Sequence, residues 1–325
     1  MKVLITGSNG YVGSHLMYFL EQSNIEVWGI DKSEKCNIDP HPKTSIGDIR
    51  NLDDLMQFKE VDFDVIIHCA ADKHDFGISK ESYFSNNEYG TKVLMQFARR
   101  QNINKIIYYS TVSVYGHQDH PCDETAEYKS NTVYGDSKFA GEKVIWKWQA
   151  EDSLNRQAII LRPSVIYGPY NFANMYNLIR QLNKFPWFMV GKGNHIKSLV
   201  ALENMLDITF FVLDKFKPGV QNFNCIDKPY LTVWQLMEII ASNDGFSLPK
   251  IKIPLWLAIL IGRFFDVFNK LIGKDLPINS DRMKKFGTAT DYRAEKIREL
   301  GYVQQHSIKE VLDKTCKWYK EINEL

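Results

Sequence analysis

Apolar residues in the first half of the chain come in short unbroken runs, separated by segments that repeat every three to four positions. Lys2–Thr6, Ile25–Ile30, Val65–His68, Lys105–Tyr109 and Gln157–Leu161 are rich in β-branched and aliphatic residues, the pattern of strands buried on both faces. Between them Tyr11–Gln22, Lys80–Gln101 and Tyr134–Glu151 carry a helical period. Strands alternating with helices predict an α/β architecture, with a parallel sheet covered by helices on both faces. The alternation ends near residue 165. Beyond it Ala201–Lys215, Thr232–Ser242, Leu255–Leu271 and Ser307–Lys320 are helical by period, with short strands near Gln221–Asn224 and Lys250–Ile253. Two domains are expected: 1–165 carrying the sheet, and 166–325, smaller, mostly helical and binding substrate, with some segments returning to the first.

Composition narrows the class. The 325 residues hold 40 basic and 39 acidic side chains, a net charge of +1, with no long basic run, so nucleic acid is not an expected partner. The five cysteines are scattered without paired spacing, which suits reduced thiols, and no metal site is expected. The N-terminus lacks the long apolar run of a signal peptide. Ile253–Ile261 is the most apolar stretch, but Arg263, Asp266 and Lys270 interrupt it short of the ~20 residues a membrane span needs. A cytoplasmic protein is expected.

The first strand ends in Thr6-Gly7-Ser8-Asn9-Gly10-Tyr11-Val12-Gly13, directly before a helical segment. Gly7 permits the tight turn, Gly10 lets backbone approach a pyrophosphate, and Gly13 lets the helix pack on the sheet. With the flanking strand and helix, this is the signature of a Rossmann-type doubly wound domain. Asp31 lies at the end of the second strand, where an acid binds the ribose diol and repels a 2′-phosphate, favouring NAD over NADP; the adjacent Lys32 tempers that preference. Gly47, Asp48 and Ile49 follow the third strand, and His68, Cys69, Ala70 and Ala71 end the fourth. Small residues there leave room for the cofactor.

Tyr134 and Lys138 are four residues apart in a helical segment, hence on one face. An ammonium beside a phenol stabilises the phenolate and makes it a usable acid or base. Ser110, Thr111 and Ser113 follow the fifth strand, at the end of the sheet where ligands bind. One of their hydroxyls could hold a substrate oxygen beside Tyr134; the plainer reading is a set of hydroxyls capping a turn.

Together, TGSNGYVG, GDIR, HCAA, NNEYGT, YYSTVSVYG, YGDSK and LRPSVIYGP resemble the extended short-chain dehydrogenase/reductase family, specifically its sugar epimerases and dehydratases. The resemblance implies that Tyr134 is the acid/base, that Lys138 orients it and bonds the nicotinamide ribose, and that Thr111 is the assisting hydroxyl. It places Asp31, Asp48, Ile49, Lys73 and Asn86 at NAD, and adds Ser110, Pro163 and Ser164 to the cofactor side. A homodimer is implied, paired through helices near Lys80–Gln101 and Tyr134–Glu151.

A narrower likeness is to epimerases of lipid-linked sugars, which interconvert N-acetylglucosamine and N-acetylgalactosamine on undecaprenyl diphosphate for O-antigen synthesis. It rests on Asn174–Ile179, Val190–Gly193, Lys197 through Asn204, and Asn279–Phe286, and makes Asn174, Lys197 and Arg282 substrate candidates beside Thr111 and Ser113. Nucleotide-sugar epimerases of the family usually carry Asn where Val165 stands, and Arg-Asp-Tyr where Lys197-Ser198-Leu199 stands. Lysine cannot reproduce the bidentate grip of that arginine on a diphosphate, although it can meet one as a point charge. The 253–272 segment is then either a core helix or one lying at a membrane surface. The expected activity is 4-epimerisation of a diphosphate-linked sugar. The alternatives are a nucleotide-sugar 4-epimerase, a 4-keto-sugar reductase or a dehydratase, although Thr111-Val112 is not followed by the Asp-Glu pair dehydratases often use. A non-catalytic NAD-binding sensor is the remaining alternative.

Overall fold

The computed structural model describes residues 1–73, 79–116, 121–184, 188–272 and 289–325, without the side chains of 264 and 266–272. The chain divides into two compact units. The first comprises Met1–Ile166, Val200–Ile226 and Tyr292–Gln305; the second comprises Tyr167–Leu199, Asp227–Asp291 and His306–Leu325. The sheet-bearing unit thus takes in two segments from far beyond residue 165.

In the first unit, strands β1 (Lys2–Thr6), β2 (Glu26–Asp31), β3 (Thr44–Ile46), β4 (Val65–His68), β5 (Lys105–Tyr109), β6 (Gln157–Pro163) and β7 (Gly219–Cys225) form one sheet. Its order is β3-β2-β1-β4-β5-β6-β7. All neighbours pair in parallel, with Val3 opposite Val27 and Val65, Ile66 opposite Ile106, and Ile107 opposite Ile159. Leu4, Ile66, Ile106, Tyr108 and Ile160 pack with Phe97 and Trp148 in one core, which explains why these strands read as continuous apolar runs. The order reverses direction between β1 and β4, the place where doubly wound sheets open a ligand crevice.

Two elements differ from the sequence expectation. Beyond the short α2 (Leu52–Met56), the segment expected as a single helix over Lys80–Gln101 is α3 (Lys80–Phe84), a π turn over Ser85–Tyr89, and α4 (Gly90–Arg100). The extra residue in a π turn re-aims the side chains that follow it. The short strand expected near Gln221–Asn224 is longer and pairs with β6, Asn222 lying opposite Ile160. Its polar sequence, VQNFNC, conceals this because its pairing partner lies some sixty residues earlier in the chain.

Three helices place the chemistry. α1 (Tyr11–Gln22) starts immediately after the glycine loop. α5 (Val133–Ala150) starts where Thr132 accepts a hydrogen bond from the Gly135 N–H at 3.0 Å. α6 (Leu202–Val212) packs on α1, with Phe210 edge-on to Phe19. At the far end of α5, Glu151 accepts two hydrogen bonds from Arg99, at 2.7 and 2.8 Å, and one from Arg156 at 2.8 Å. Arg99 first, and Arg156 with it, holds the Glu151 carboxyl down to about 2 from its ordinary 4.5. A depressed carboxyl contributes stability above its unfolded pKa and loses it as pH falls. Because this side chain is 36% exposed, the contribution is at most about 1 kcal/mol after solvent screening. Glu151→Gln is therefore expected to lower stability by that amount at pH 7, the difference shrinking as pH falls from 4.5 towards 2. Denaturant unfolding at both pH values measures it, and an equal loss at both would contradict it.

In the second unit, helices Asn174–Lys184, Val233–Ala241, Leu255–Ile272 and Ile308–Glu321 accompany a parallel strand pair, Phe188–Val190 with Ile251–Ile253. Thr232 and Gln235 form a capping box at the start of the second of these helices. Tyr170, Phe172, Tyr176, Trp318 and Tyr319 form an aromatic cluster, with centroids 4.5–5.9 Å apart. Among the described residues, no helix is long and apolar enough to cross a membrane.

Candidate active site

The crevice at the β1–β4 reversal is built by the glycine loop. Gly7 has a φ of +73°, a conformation that favours glycine, and its N–H bonds the Ile30 carbonyl at 2.8 Å. A Cβ on Gly7 would lie 2.6 Å from the Ala70 backbone nitrogen, and one on Gly13 only 2.0 Å from the Gly7 carbonyl oxygen. The loop, the start of α1 and the end of β4 therefore approach more closely than any side chain would permit. What remains is a cleft of about 230 Å³ at a helix N-terminus, where backbone N–H groups and the helix dipole favour phosphate.

Asp31 faces this cleft in a fixed orientation. Its carboxylate accepts from the Asn9 N–H at 3.0 Å and the Ser33 N–H at 2.9 Å, leaving acceptor capacity for a diol. Lys32 does not offer its ammonium to a 2′-phosphate beside Asp31. It bonds Asp72 at 3.1 Å and Asn86 at 3.4 Å, and Asn86 bonds Asp72 at 2.5 Å. Elsewhere on the lining, burial pulls the Asp48 carboxyl up, but Arg50, bound to it through Nε and Nη2, outweighs burial and holds it below its usual range. This donor and acceptor set fits an adenosine diphosphate moiety, with the diol at Asp31 and the diphosphate at the loop.

Of the residues expected at the cofactor, Gly7, Asn9, Gly10, Asp31, Lys32, Asp48, Ile49, Cys69, Ala70, Ala71 and Asn86 line this cleft. Tyr11 and Val12 instead open α1, and Gly13 lies beneath the loop. Lys73 is exposed. Pro163 ends β6, and Ser164 donates its N–H to the Cys225 carbonyl at 3.2 Å. Ile30, Ser33, Lys35 and Asp72 also line the cleft but escaped the sequence reading. Asp72, directly after Cys69-Ala70-Ala71, was within its reach; Ser33 and Lys35 lie in a loop without periodic signal.

The second cluster surrounds the start of α5. Tyr134 is half-buried, its ring centroid 6.2 Å from that of Tyr83. Lys138, one turn on, is fully buried, with Nζ 4.2 Å from the centre of the Tyr108 ring. Burial pushes its ammonium down to about 7, against the opposing pull of Cys69 and Glu142. Burial, reinforced by Lys138, also holds His68 neutral. That imidazole spans Thr6 and Thr91 at 2.7 and 3.0 Å.

The two clusters are tied together by Asn87. Its side chain accepts from the Asp72 N–H at 2.9 Å and donates to the Ser137 hydroxyl at 2.9 Å, and Ser137 donates to the Tyr134 carbonyl at 2.8 Å. Asn86 lines the cleft while its neighbour Asn87 reaches α5, a division made within the π turn. Thr111 caps the short 3-10 turn Val112–Tyr115, accepting from the Ser113 N–H at 3.1 Å and donating to the Ser113 hydroxyl at 3.2 Å. The glycine at 135 allows this segment to touch α5, since a Cβ there would lie 2.5 Å from the Ser113 carbonyl oxygen. Thr111, Ser113 and Tyr134 are thus brought to adjoining backbone, whereas Ser110 turns inward and bonds Glu142 at 2.5 Å.

The remaining substrate candidates lie apart in the chain. Asn174 begins the helix Asn174–Lys184 in the second unit and is exposed. Lys197, in the same unit, pairs its backbone with Thr290. Arg282 falls outside the described residues. Among the described residues, no group of three or more His, Cys, Asp or Glu side chains could hold a metal.

Residues 3–225 match the model of the NAD-dependent epimerase/dehydratase family. Over 318 residues the chain is 30% identical to N-acetyl-α-D-glucosaminyl-diphospho-ditrans,octacis-undecaprenol 4-epimerase of Escherichia coli O157:H7, covering 98% of this chain and 95% of that one. It is 26% identical to dTDP-D-glucose 4,6-dehydratase of Homo sapiens, covering 98% and 90%. In fold it is similar to MoeE5 in complex with UDP-glucuronic acid and NAD, with a TM-score of 0.76, 20% identity and coverage of 99% and 100%. With a glycine loop at a helix N-terminus, Asp31 facing the same cleft, and residues 3–225 matching the family model, the chain belongs to the NAD-dependent epimerase/dehydratase family and is an NAD-using enzyme of sugar chemistry.

Proposed function

We propose that the protein is a 4-epimerase of a diphosphate-linked sugar, acting on N-acetylglucosamine and N-acetylgalactosamine carried by a polyprenyl diphosphate. The observation that carries this is the convergence of Tyr134, buried Lys138 and the Thr111–Ser113 turn beside a dinucleotide cleft. The carrier is suggested by the full-length similarity to the undecaprenol-linked epimerase. The sequence also carries Lys197 where the nucleotide-sugar epimerases usually have an arginine.

Bound NAD supplies a hydride acceptor that later returns the hydride, so net redox change is zero. Gly7, Gly10 and Asp31 are the residues that would hold it. Tyr134, as phenolate, takes the proton of the sugar 4-hydroxyl and gives it back in the reverse step. Lys138 stabilises that phenolate by charge, which water cannot screen at a fully buried site. Thr111 or Ser113 holds the sugar oxygen in line with the phenol. No carboxylate pair follows Thr111, where Val112 and Ser113 stand, which supports epimerisation over dehydration.

A lipid carrier places the enzyme at the inner face of the cell membrane, in surface polysaccharide or O-antigen synthesis. Trp256 and Leu260, one helical turn apart, are 68% and 58% exposed, with Lys250, Lys252 and Arg263 exposed nearby, a composition suited to an anionic lipid surface. We assign a homodimer paired through the α3–α4 and α5 helices. The decisive experiment incubates the protein with N-acetylglucosamine on undecaprenyl diphosphate and on uridine diphosphate, reading the C4 configuration of each product. Activity only on the nucleotide form would defeat the polyprenyl assignment, and stoichiometric consumption of NADH would point to a reductase instead.

Asp31 provides a separate check. Asp31→Asn is expected to weaken NAD about tenfold, the loss of one charge-assisted hydrogen bond, and to narrow the preference over NADP. Fluorescence titration with both dinucleotides measures this. An unchanged ratio of the two affinities would remove Asp31 from the diol.

A further inference from the structure

Directly behind the acid–base pair lies an ion pair that the reaction does not use. Glu142 on α5 and Arg162 on β6 both have side chains with 0% exposure. They meet through Arg162 Nε to Glu142 Oε1 at 2.9 Å and Nη2 to Oε2 at 2.7 Å. The remaining guanidinium donors reach Tyr115 at 2.7 Å and Tyr128 at 2.5 Å. Tyr115 passes its own hydrogen bond to Asn224 on β7 at 3.0 Å, and Asn224 is fixed by Glu124 and the Arg293 carbonyl at 2.8 Å each.

Such a pair is a poor source of stability. Taking both charges out of water costs about what their attraction returns, and an apolar pair of similar volume often does as well or better. Its position is more informative. Tyr134, Lys138 and Glu142 follow at four-residue intervals and so share one face of α5. The same Glu142 oxygen that meets Arg162 Nε also accepts the Ser110 hydroxyl at 2.5 Å, and Ser110 is joined directly to Thr111. One carboxylate therefore grips both halves of the acid–base machinery.

We propose that the Glu142–Arg162 pair is the positioning element of the site, holding the Ser110–Thr111 segment in register with the Tyr134/Lys138 face and setting a fixed negative charge behind the Lys138 ammonium. This rests on the roles assigned above to Tyr134 and Lys138. The other groups around Lys138 cannot supply that charge. Tyr108 of β5 presents its ring and is held protonated by burial. His68 is held neutral; Cys69 can pull on Lys138 only as a thiolate, and burial pushes its thiol far up, so it sets no fixed charge there. Tyr134 alternates between phenol and phenolate during the reaction. Arg162, the one cation bonded to Glu142 among the described residues, fixes the carboxylate in place.

The test uses Glu142→Gln, which keeps shape and removes charge, and the double variant Glu142→Met/Arg162→Met, which leaves no unpaired buried ion and so retains the fold if the first does not. Lys138 is followed by the ¹³Cε shift of labelled lysine without substrate, assigned by its loss in Lys138→Ala. The expected result is a Lys138 titration midpoint about one pH unit lower in Glu142→Gln, as for removal of a close opposite charge, and a smaller shift in the same direction in the double variant, which removes both charges. With it should come a kcat about 100-fold lower, a KM within about threefold of the parent, and an alkaline limb shifted to lower pH. A folded variant with the parental midpoint and kcat overturns the proposal. Should neither fold, Ser110→Ala cuts only the hydroxyl tie and is expected to lower kcat about tenfold with KM unchanged; parental kcat there overturns it equally. A shifted Lys138 midpoint in protein that epimerises neither carrier form upholds this inference while defeating the proposed reaction.

Discussion

Tyr134→Phe is expected to lower kcat by about 10³-fold, the usual worth of a positioned general acid or base, while leaving the fold and NAD affinity essentially unchanged. The substitution removes one oxygen. The ring stays beside Tyr83, the Thr132 cap still receives the Gly135 N–H, and Ser137 still bonds the carbonyl of residue 134. No other described group near Lys138 can take over as base. His68 has both ring nitrogens engaged by Thr6 and Thr91 and is held neutral by burial, and Tyr108 is buried with its phenol pushed well up. Both half-reactions need the same phenol, so single-turnover reduction of NAD, followed at the nicotinamide absorbance, should slow as much as overall epimerisation. A variant retaining more than a tenth of parental turnover would remove Tyr134 from the proton path.

Gly13→Ala should cost the first unit about 3 kcal/mol, the upper end for forcing an extra methyl into packed structure. Its Cβ would stand 2.0 Å from the Gly7 oxygen, 2.8 Å from the Gly7 carbonyl carbon and 3.0 Å from the Ser8 Cα. All three are backbone atoms of a turn that is itself bonded to Ile30 and Gly10, so no side chain can swing aside. Either α1 lifts from the sheet or the loop opens, and in both cases the N–H groups lose their aim at a diphosphate. Gly10→Ala is the informative contrast. Its Cβ would lie 3.2 Å from the Gly7 oxygen, tight but tolerable, so it should weaken NAD while changing stability little. Thermal unfolding with and without NAD separates the two effects, and equal behaviour of the two variants would mean that the loop is not built as described.

Some of this was legible in the linear sequence because the relevant interactions are local. A strand, a glycine turn and a helix lie within 22 residues, and Tyr134 and Lys138 share a helix face by spacing alone. Apolar runs identified β1, β4 and β5 because strands buried on both faces leave no polar alternation to obscure them. Helix periodicity likewise found α1 and α5, within one or two residues at their ends.

Tertiary structure decided what depends on distant partners. β7 reads as a short strand outside the main alternation, and only its pairing with β6 and the burial of Phe223, Asn224 and Cys225 make it the seventh strand of the sheet. The π turn that sends Asn86 to the cleft and Asn87 to α5 has no periodic trace in NNEYGT. Glu142 and Arg162 look in sequence like ordinary charged residues on a helix and a strand, because burial and pairing are properties of the folded sheet and not of either segment. The sequence, then, determined which groups exist and which neighbours share a turn. Folding determined which charges lose water, and that loss is what sets Lys138 and Glu142 apart from the other lysines and glutamates of the chain.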